Sequence, residues 1–176
     1  TFLKFNCMCI IVDTNVLPSV FKQSSSNHSQ FKPVRDWIIE GKGKIVFGGT
    51  KYINEIKGTY LAFFLQLKKA GKAVSIPSDL VDAEQLVVEG MIVHPDFDDP
   101  HLVGLLRVSG CKLICSLDSR AFPYFRHTLF FTPASNRPRI YSTLSNSSLL
   151  CDRHIADVCK PCAPTTKQQK SIIGDE

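Results

Sequence analysis

Short apolar runs alternate with longer amphipathic segments along most of this chain. Residues 9–12 are continuously apolar, which is typical of a strand buried on both faces of a parallel sheet. Between such runs apolar residues recur at helical spacing, as Phe31, Val34 and Ile38 do. The pattern predicts strands at residues 9–12, 44–47, 74–76 and 112–116, with a short edge strand at 129–131. Strands separated by helices predict an α/β fold, a three-layer sandwich with a central, mostly parallel sheet.

The pattern of strands and helices becomes weaker after Asp118. We expect a main domain over residues 1–132, an extension over 133–162 packed on it, and a disordered tail over 163–176, which is rich in Pro, Thr, Gln and Lys. The apolar runs are too short to span a membrane, and no signal peptide is recognisable. Seven cysteines, an odd number, fit reduced thiols better than a disulfide framework. We therefore expect a cytoplasmic protein that does not bind membranes.

Carboxylates follow several of the predicted strands. Asp13 and Asp118 end the first and fourth strands, and Glu55 lies in the helix after the second strand. Because the carboxyl ends of parallel strands meet at one edge of the sheet, these three acids are expected to converge there. Asp99 starts a helix that leads into a strand, so we expect it to reach this edge only through an unusual connection. Asp98 beside it is an alternative ligand.

Converging carboxylates repel one another unless cations lie between them. Oxygen ligands suit Mg²⁺ or Mn²⁺, which can activate water and stabilise the charge that develops on a phosphodiester. The net charge of +5 favours a polyanionic partner. Lys51 and Arg120 lie close in sequence to the acids and are candidate contacts for phosphates. Each acid alone is also explained as a helix cap or a surface charge, but the four together favour a metal site.

Four short motifs occur in order over about residues 8–126. They are IVDTNVL at 11–17, NEI at 54–56, DPHLVGL at 99–105 and SLD at 116–118. Together they resemble the four motifs of the PIN domain nucleases. The resemblance implies that Asp13, Glu55, Asp99 and Asp118 bind Mg²⁺ or Mn²⁺, and that Asn15 and Ser116 orient ligands or water. It also implies a metal-dependent endoribonuclease that cleaves single-stranded or structured RNA.

Many bacterial PIN proteins are toxins of the VapC-like kind, each neutralised by an antitoxin. The resemblance therefore brings three expected partners: RNA as substrate, an antitoxin or another protein, and a second copy of the chain in a homodimer. Two alternatives stay open. One is a catalytically inactive PIN-type module for RNA binding or assembly. The other is a phosphatase like the haloacid dehalogenases, which place a second Asp two residues after the first, where this chain has Asn15.

Near the end of the chain, Cys151, His154, Cys159 and Cys162 form a string with the spacing of metal ligands. Only four residues separate the two ligand pairs, where zinc modules usually leave a dozen or more for the fold between them. We therefore expect buried free thiols here and no zinc.

Overall fold

Five parallel strands form one sheet, and the first strand lies at its centre. The strands are β1 (Cys9–Val12), β2 (Lys44–Gly48), β3 (Ala73–Ile76), β4 (Leu113–Cys115) and β5 (Arg139–Tyr141). Their order across the sheet is β3-β2-β1-β4-β5. The structure is a computed structural model that describes residues 9–151, 157–159 and 162–174. Every side chain of β1 is buried, as the continuous apolar run predicts.

Eight α-helices flank this sheet in the part of the chain that the structure describes. They are α1 (Leu17–Phe21), α2 (His28–Ile39), α3 (Thr50–Ile56), α4 (Leu61–Lys69), α5 (Ser78–Met91), α6 (Pro100–Ser109), α7 (Phe122–Phe125) and α8 (Lys167–Ile173). None of these helices combines the length and the apolar character that crossing a membrane would require. The prediction of an α/β sandwich is confirmed, and the sheet is parallel throughout.

The strand order reverses direction at β1. The chain moves from β1 to β2 and β3 on one side, and then crosses back to place β4 on the other side of β1. Val12 of β1 pairs with Cys115 of β4, so the two strands end side by side. In open parallel sheets ligands bind in the crevice at such a switch point, outside the carboxyl ends of the strands. Asp13 follows β1 directly, and Asp118 is the third residue after the end of β4.

The edge strand is β5 and not residues 129–131, so this part of the sequence prediction is wrong. The backbone N–H groups of Phe130 and Phe131 both donate to the His127 carbonyl oxygen at 3.1 Å, which forms a turn and leaves them unable to pair with a strand. Phe130 instead packs against Phe97, with ring centroids 5.5 Å apart. The sheet therefore continues past the predicted domain boundary at residue 132.

The segment for which the sequence predicts a disordered tail contains α8. Thr166 and Gln169 form a reciprocal capping box at its start. The Gln169 side chain donates to the Ala70 carbonyl oxygen at 2.8 Å, Lys170 pairs with Glu40, and Ile173 is buried. Although polar in composition, the segment is helical here because these tertiary contacts and its cap offset the entropy of ordering it.

Of the C-terminal cysteines, Cys159 lies near the start of β1. Cys151 and Cys159 carry thiols, as predicted, and the Cys159 thiol is hydrogen-bonded to that of Cys9. Cys162 is disulfide-bonded, so the expectation of a free thiol is wrong at this position. Spacing within the string could not reveal this, because the C-terminal segment packs against residues far away in the sequence. His154, the remaining member of the string, lies outside the described residues.

Candidate functional site

Asp13 is held in a fixed orientation where β1 ends. Its backbone N–H donates to the Cys115 carbonyl oxygen at 2.9 Å, which continues the pairing of β1 with β4. Its Oδ2 accepts a hydrogen bond from Ser116 Oγ at 2.9 Å, and its Oδ1 accepts one from the Asn15 backbone N–H at 3.4 Å. The side chain is buried, with 3% of the residue exposed. Burial raises the pKa of Asp13, the two hydrogen bonds lower it, and the nearby charges of Glu55 and Asp118 raise it.

Ser116 connects Asp13 with Asp118. While its hydroxyl donates to Asp13, the same Oγ accepts the Asp118 backbone N–H at 3.2 Å. The Asp118 carboxylate is held in turn by Arg120, whose Nε and Nη2 each donate to it at 3.1 Å. These hydrogen bonds keep the pKa of Asp118 below its ordinary value. The ends of β1 and β4 are thus joined through one buried hydroxyl.

Asp99 reaches the same edge of the sheet by way of α6. This helix has ten residues, about 15 Å, and only three residues separate it from β4, so its first residue must lie near the carboxyl end of that strand. Asp99 is the N-cap residue by position, but its side chain makes no capping hydrogen bond. Burial and the charges of Asp13 and Asp98 raise the pKa of Asp99 to about 6, although Lys51 lowers it. The carboxylate therefore faces the other acids.

Three of these carboxylates come close enough to share a cation. Asp98, Asp99 and Asp118 each offer an oxygen atom, and the three atoms lie within 4.8 Å of one another. No other such group of ligand atoms occurs among the residues that the structure describes. The donor set fits Mg²⁺ or Mn²⁺ because all the ligand atoms are oxygens. Burial, together with the neighbouring negative charges, raises the pKa of Asp99 and disfavours its ionisation. The sequence left open whether Asp98 or Asp99 would be the ligand, and both belong to the group.

Glu55 lies beside this group, on α3. The helix is held in place by Asp82, which accepts the Thr50 backbone N–H at 2.8 Å. Gly49 before it has a φ of 92°, which favours glycine. The Glu55 carboxylate accepts a hydrogen bond from Thr14 Oγ1 at 2.8 Å, one residue after Asp13. Glu55 is therefore held by Thr14, which follows β1, just as Asp13 is held by Ser116, which follows β4.

His101 is a residue of this site to which the sequence gave no role. It is 2% exposed, and its Nε2 lies 3.7 Å from Glu55 Oε2. Neither ring nitrogen has a hydrogen-bond partner among the described residues. Burial lowers the pKa of His101 to about 3, with a smaller effect from Lys51, so the ring is neutral. The only sequence signal was its place in the first turn after Asp99, which is not specific.

The remaining predicted residues lie at the rim of the acidic group. The Asn15 side chain is exposed, and only its backbone N–H contacts Asp13. Lys51 is exposed and donates to the Asp98 carbonyl oxygen at 3.0 Å. Arg120, with 60% of its side chain exposed, also approaches the Asp98 carboxylate at 3.9 Å. Of the four predicted acids, Asp99 and Asp118 share the group with Asp98, whereas Asp13 and Glu55 lie outside it. Asp13 is held by Ser116 and Glu55 by Thr14.

Comparisons with known proteins do not identify a relative of this chain. We found no match to this chain among protein-family models, curated proteins or solved structures. The functional argument therefore rests on the geometry of the residues described above.

Proposed function

We propose that this protein is a Mg²⁺- or Mn²⁺-dependent endoribonuclease with a PIN-like site. The observation that carries the proposal is the group formed by Asp98, Asp99 and Asp118, whose oxygens lie within 4.8 Å of one another at the switch point of the sheet. Asp13 lies close enough for its charge to raise the pKa of Asp99. An uncompensated group of this kind is costly, and a hard divalent cation is the partner that its oxygens suit.

Asp99, Asp118 and Asp98 would hold the cation, with Asp13 and Glu55 beside them. When bound, the ion supplies positive charge for a phosphodiester in the transition state and makes water more acidic. The chain's own contribution is to fix the carboxylates before the substrate arrives. Ser116 fixes Asp13, and Thr14 fixes Glu55, each through a hydrogen bond of 2.8–2.9 Å. Such positioning partners typically affect metal affinity or activity by about 10- to 100-fold.

RNA is the substrate class that the surroundings of the site favour. The chain carries a net charge of +5 although its centre is acidic. Lys51 and Arg120 lie at the rim, where they can contact the phosphates on either side of the scissile bond. A polyanion would thus be attracted by the rim and cleaved at the centre.

A phosphatase of the haloacid dehalogenase type is less compatible with this site. Its first aspartate acts as a nucleophile, which requires an exposed carboxylate oxygen. Here Asp13 is buried and both of its oxygens accept hydrogen bonds. Asn15 occupies the position of the second aspartate. The geometry of Asp13 suits a residue that orients the site and not one that attacks substrate.

The second candidate function is a metal-free module for RNA binding or assembly, and one observation favours it. The Arg120 guanidinium already pairs with Asp118 and lies 3.9 Å from Asp98, so it supplies part of the positive charge that the acids need. In a module of this kind Arg120 would replace the cation permanently. In the nuclease it would move to a phosphate when the cation binds.

The test is RNA cleavage by purified full-length protein with Mg²⁺, with Mn²⁺ and with EDTA. We expect cleavage of single-stranded or loop RNA only with a divalent ion, and binding of Mn²⁺ measured by calorimetry. Arg120→Gln serves as the comparison, because it removes the competing cation and should strengthen Mn²⁺ binding. Cleavage that persists in EDTA would exclude the metal mechanism. Stoichiometric RNA binding with neither cleavage nor Mn²⁺ binding would favour the module.

A further inference from the structure

A second charged feature lies at the amino ends of β4 and β5, whereas the acids lie at the carboxyl ends of the strands. Four cationic side chains line one cleft of about 660 Å³: Lys112, Arg126, Arg137 and Arg139. The other residues that line the cleft are neutral, so it contains no carboxylate. None of the four cations forms an ion pair with an acid among the residues that the structure describes. Unpaired cations around one concavity form a surface with strong positive potential.

The fold brings these four residues together from separate segments. Arg139 is the first residue of β5, and its backbone N–H donates to the Lys112 carbonyl oxygen at 2.8 Å, just before β4. Arg126 directly follows α7, and Arg137 follows a short 3₁₀ turn over Ala134–Asn136. Strand pairing therefore fixes two of the cations, and the chain between α7 and β5 adds the other two.

Among the described residues, the exposure and the missing hydrogen-bond partners of the arginine side chains indicate a ligand. Arg126 and Arg139 are exposed, which leaves their guanidinium groups available to a partner. The Nε of Arg137 is buried without a hydrogen-bond acceptor among the described residues, an arrangement that costs free energy. Arginine presents a planar fork of N–H donors that matches the oxygens of a phosphate. Three arginines and one lysine around a cleft are thus a donor set for phosphate groups.

We propose that Lys112, Arg126, Arg137 and Arg139 form a binding cleft for the sugar-phosphate backbone of single-stranded RNA, distinct from the acidic site. The identity of the nucleic acid rests on the proposed function, but the binding itself does not require cleavage. Lys112 and Ser116 are four positions apart in the sequence, which is about 13 Å of extended chain. An RNA of a few nucleotides can therefore reach from the cleft to the acids across the β5 edge of the sheet.

The test is equilibrium binding of a labelled single-stranded RNA by fluorescence anisotropy, in EDTA, over a series of salt concentrations. Each phosphate contact on a single strand contributes a slope of about 0.7 to the dependence of log affinity on log salt. The double variant Arg126→Gln/Arg139→Gln should lower the magnitude of this slope by about 1.4. Over a fourfold rise in salt, the factor by which the variant loses RNA affinity should then be about sevenfold smaller than the factor for the wild type. Both residues are exposed, so folding should be unaffected, and a thermal melt checks this.

The matched control is Lys22→Gln/Lys69→Gln, which removes the same charge from two exposed positions outside the cleft. The control should keep the wild-type slope. An equal decrease in both double variants would mean that only net charge matters, and would overturn the proposal. Absence of RNA binding by the wild type would also overturn the proposal. So would a cleft variant that loses binding to anionic phospholipid vesicles but still binds RNA as the wild type does. If the cleft variant loses RNA affinity while the wild type never cleaves RNA, the cleft stands and the proposed nuclease activity fails.

Discussion

The two ends of the β4–β5 side of the sheet carry opposite charges in very different states. At the carboxyl end, Asp13 is buried and held by hydrogen bonds, and Asp118 is paired with Arg120. At the amino end, Arg126 and Arg139 are exposed and have no acidic partner among the described residues. The first arrangement is fixed and the second is adaptable.

This difference follows from what each kind of function requires. Chemistry on a phosphodiester needs oxygen ligands at defined positions, so their orientation is fixed before the substrate binds. Binding of a flexible polyanion needs charge density and tolerates mobile side chains, since phosphate contacts carry no base information. In this sheet, hydrogen-bonded and ion-paired acids mark the candidate catalytic end, and exposed cations without an acidic partner among the described residues mark the candidate binding end.

The largest effect should come from Asp118→Asn, which removes one charge from the acidic end and preserves shape. We expect metal-dependent RNA cleavage to fall by at least about 100-fold, because a direct ligand should matter at least as much as the most important of its positioning partners. RNA binding in EDTA should be unchanged or tighter. Asp79→Asn, at an exposed position of α5, is the control and should cleave normally. Wild-type rates for Asp118→Asn at limiting Mn²⁺ would exclude Asp118 as a ligand.

Ser116→Ala should have the next largest effect, since the Ser116 hydroxyl joins Asp13 to Asp118. We expect cleavage to fall by about 10- to 100-fold and Mn²⁺ affinity to fall with it. The free energy of unfolding should decrease by about 1–3 kcal/mol, because a buried carboxylate loses its donor. Calorimetry and denaturant unfolding measure the two quantities. Ser171→Ala on α8 removes an exposed hydroxyl and should change neither quantity; a change of similar size there would remove the support for a special role of Ser116.

His101→Phe separates function from stability. A buried ring without hydrogen-bond partners costs free energy, so phenylalanine should raise the free energy of unfolding by about 1 kcal/mol. If His101 positions Glu55, kcat should nevertheless fall by about tenfold while KM for RNA stays constant. Steady-state kinetics and urea unfolding test this. An unchanged kcat in a more stable protein would make His101 a purely structural residue.

The smallest effect concerns a buried charge near the amino ends of the strands. Lys72 is 1% exposed, and burial lowers its pKa to about 8, with a contribution from Lys44, while its ammonium donates to the Gly41 carbonyl oxygen. Below pH 8 this lysine is charged in both the folded and unfolded states, and the fold bears the full cost of burying the charge. Between pH 8 and about 10.4, the ordinary lysine pKa, the unfolded state binds more protons, so the contribution of Lys72 to stability rises with pH.

Lys72→Met lacks this pH dependence. We expect the free energy of unfolding of the wild type, relative to Lys72→Met, to increase by about 1–2 kcal/mol from pH 8 to pH 10, after allowance for solvent screening. Chemical denaturation at several pH values measures the difference. Lys69→Met, at an exposed position, is the control. A constant difference between wild type and Lys72→Met would mean that Lys72 keeps its ordinary pKa.

The sequence determined the class of fold and the position of most acids along it. Continuous apolar runs indicate buried strands wherever they occur, because both faces of a parallel sheet are covered. Asp13 comes immediately after such a run and Asp118 three residues after another, so their meeting at one edge follows from parallel pairing alone. The sequence also contained the signal for Asp99, since a helix that leads into a strand after a short link must begin at the opposite edge. The expectation of an unusual connection is wrong, because an ordinary ten-residue helix is long enough to span β4.

Only the tertiary structure decided which groups lie beside these acids. Strand β5 and helix α8 are stabilised by pairing and docking, so their local sequence alone did not predict them. His101 belongs to the site because α6 packs it against Glu55, and Arg120 because its guanidinium reaches two carboxylates. The cationic cleft joins three segments, at residues 112, 126 and 134–139, whose spacing in the chain has no period. Packing and strand pairing set the distances between such segments, so no local sequence pattern predicts them.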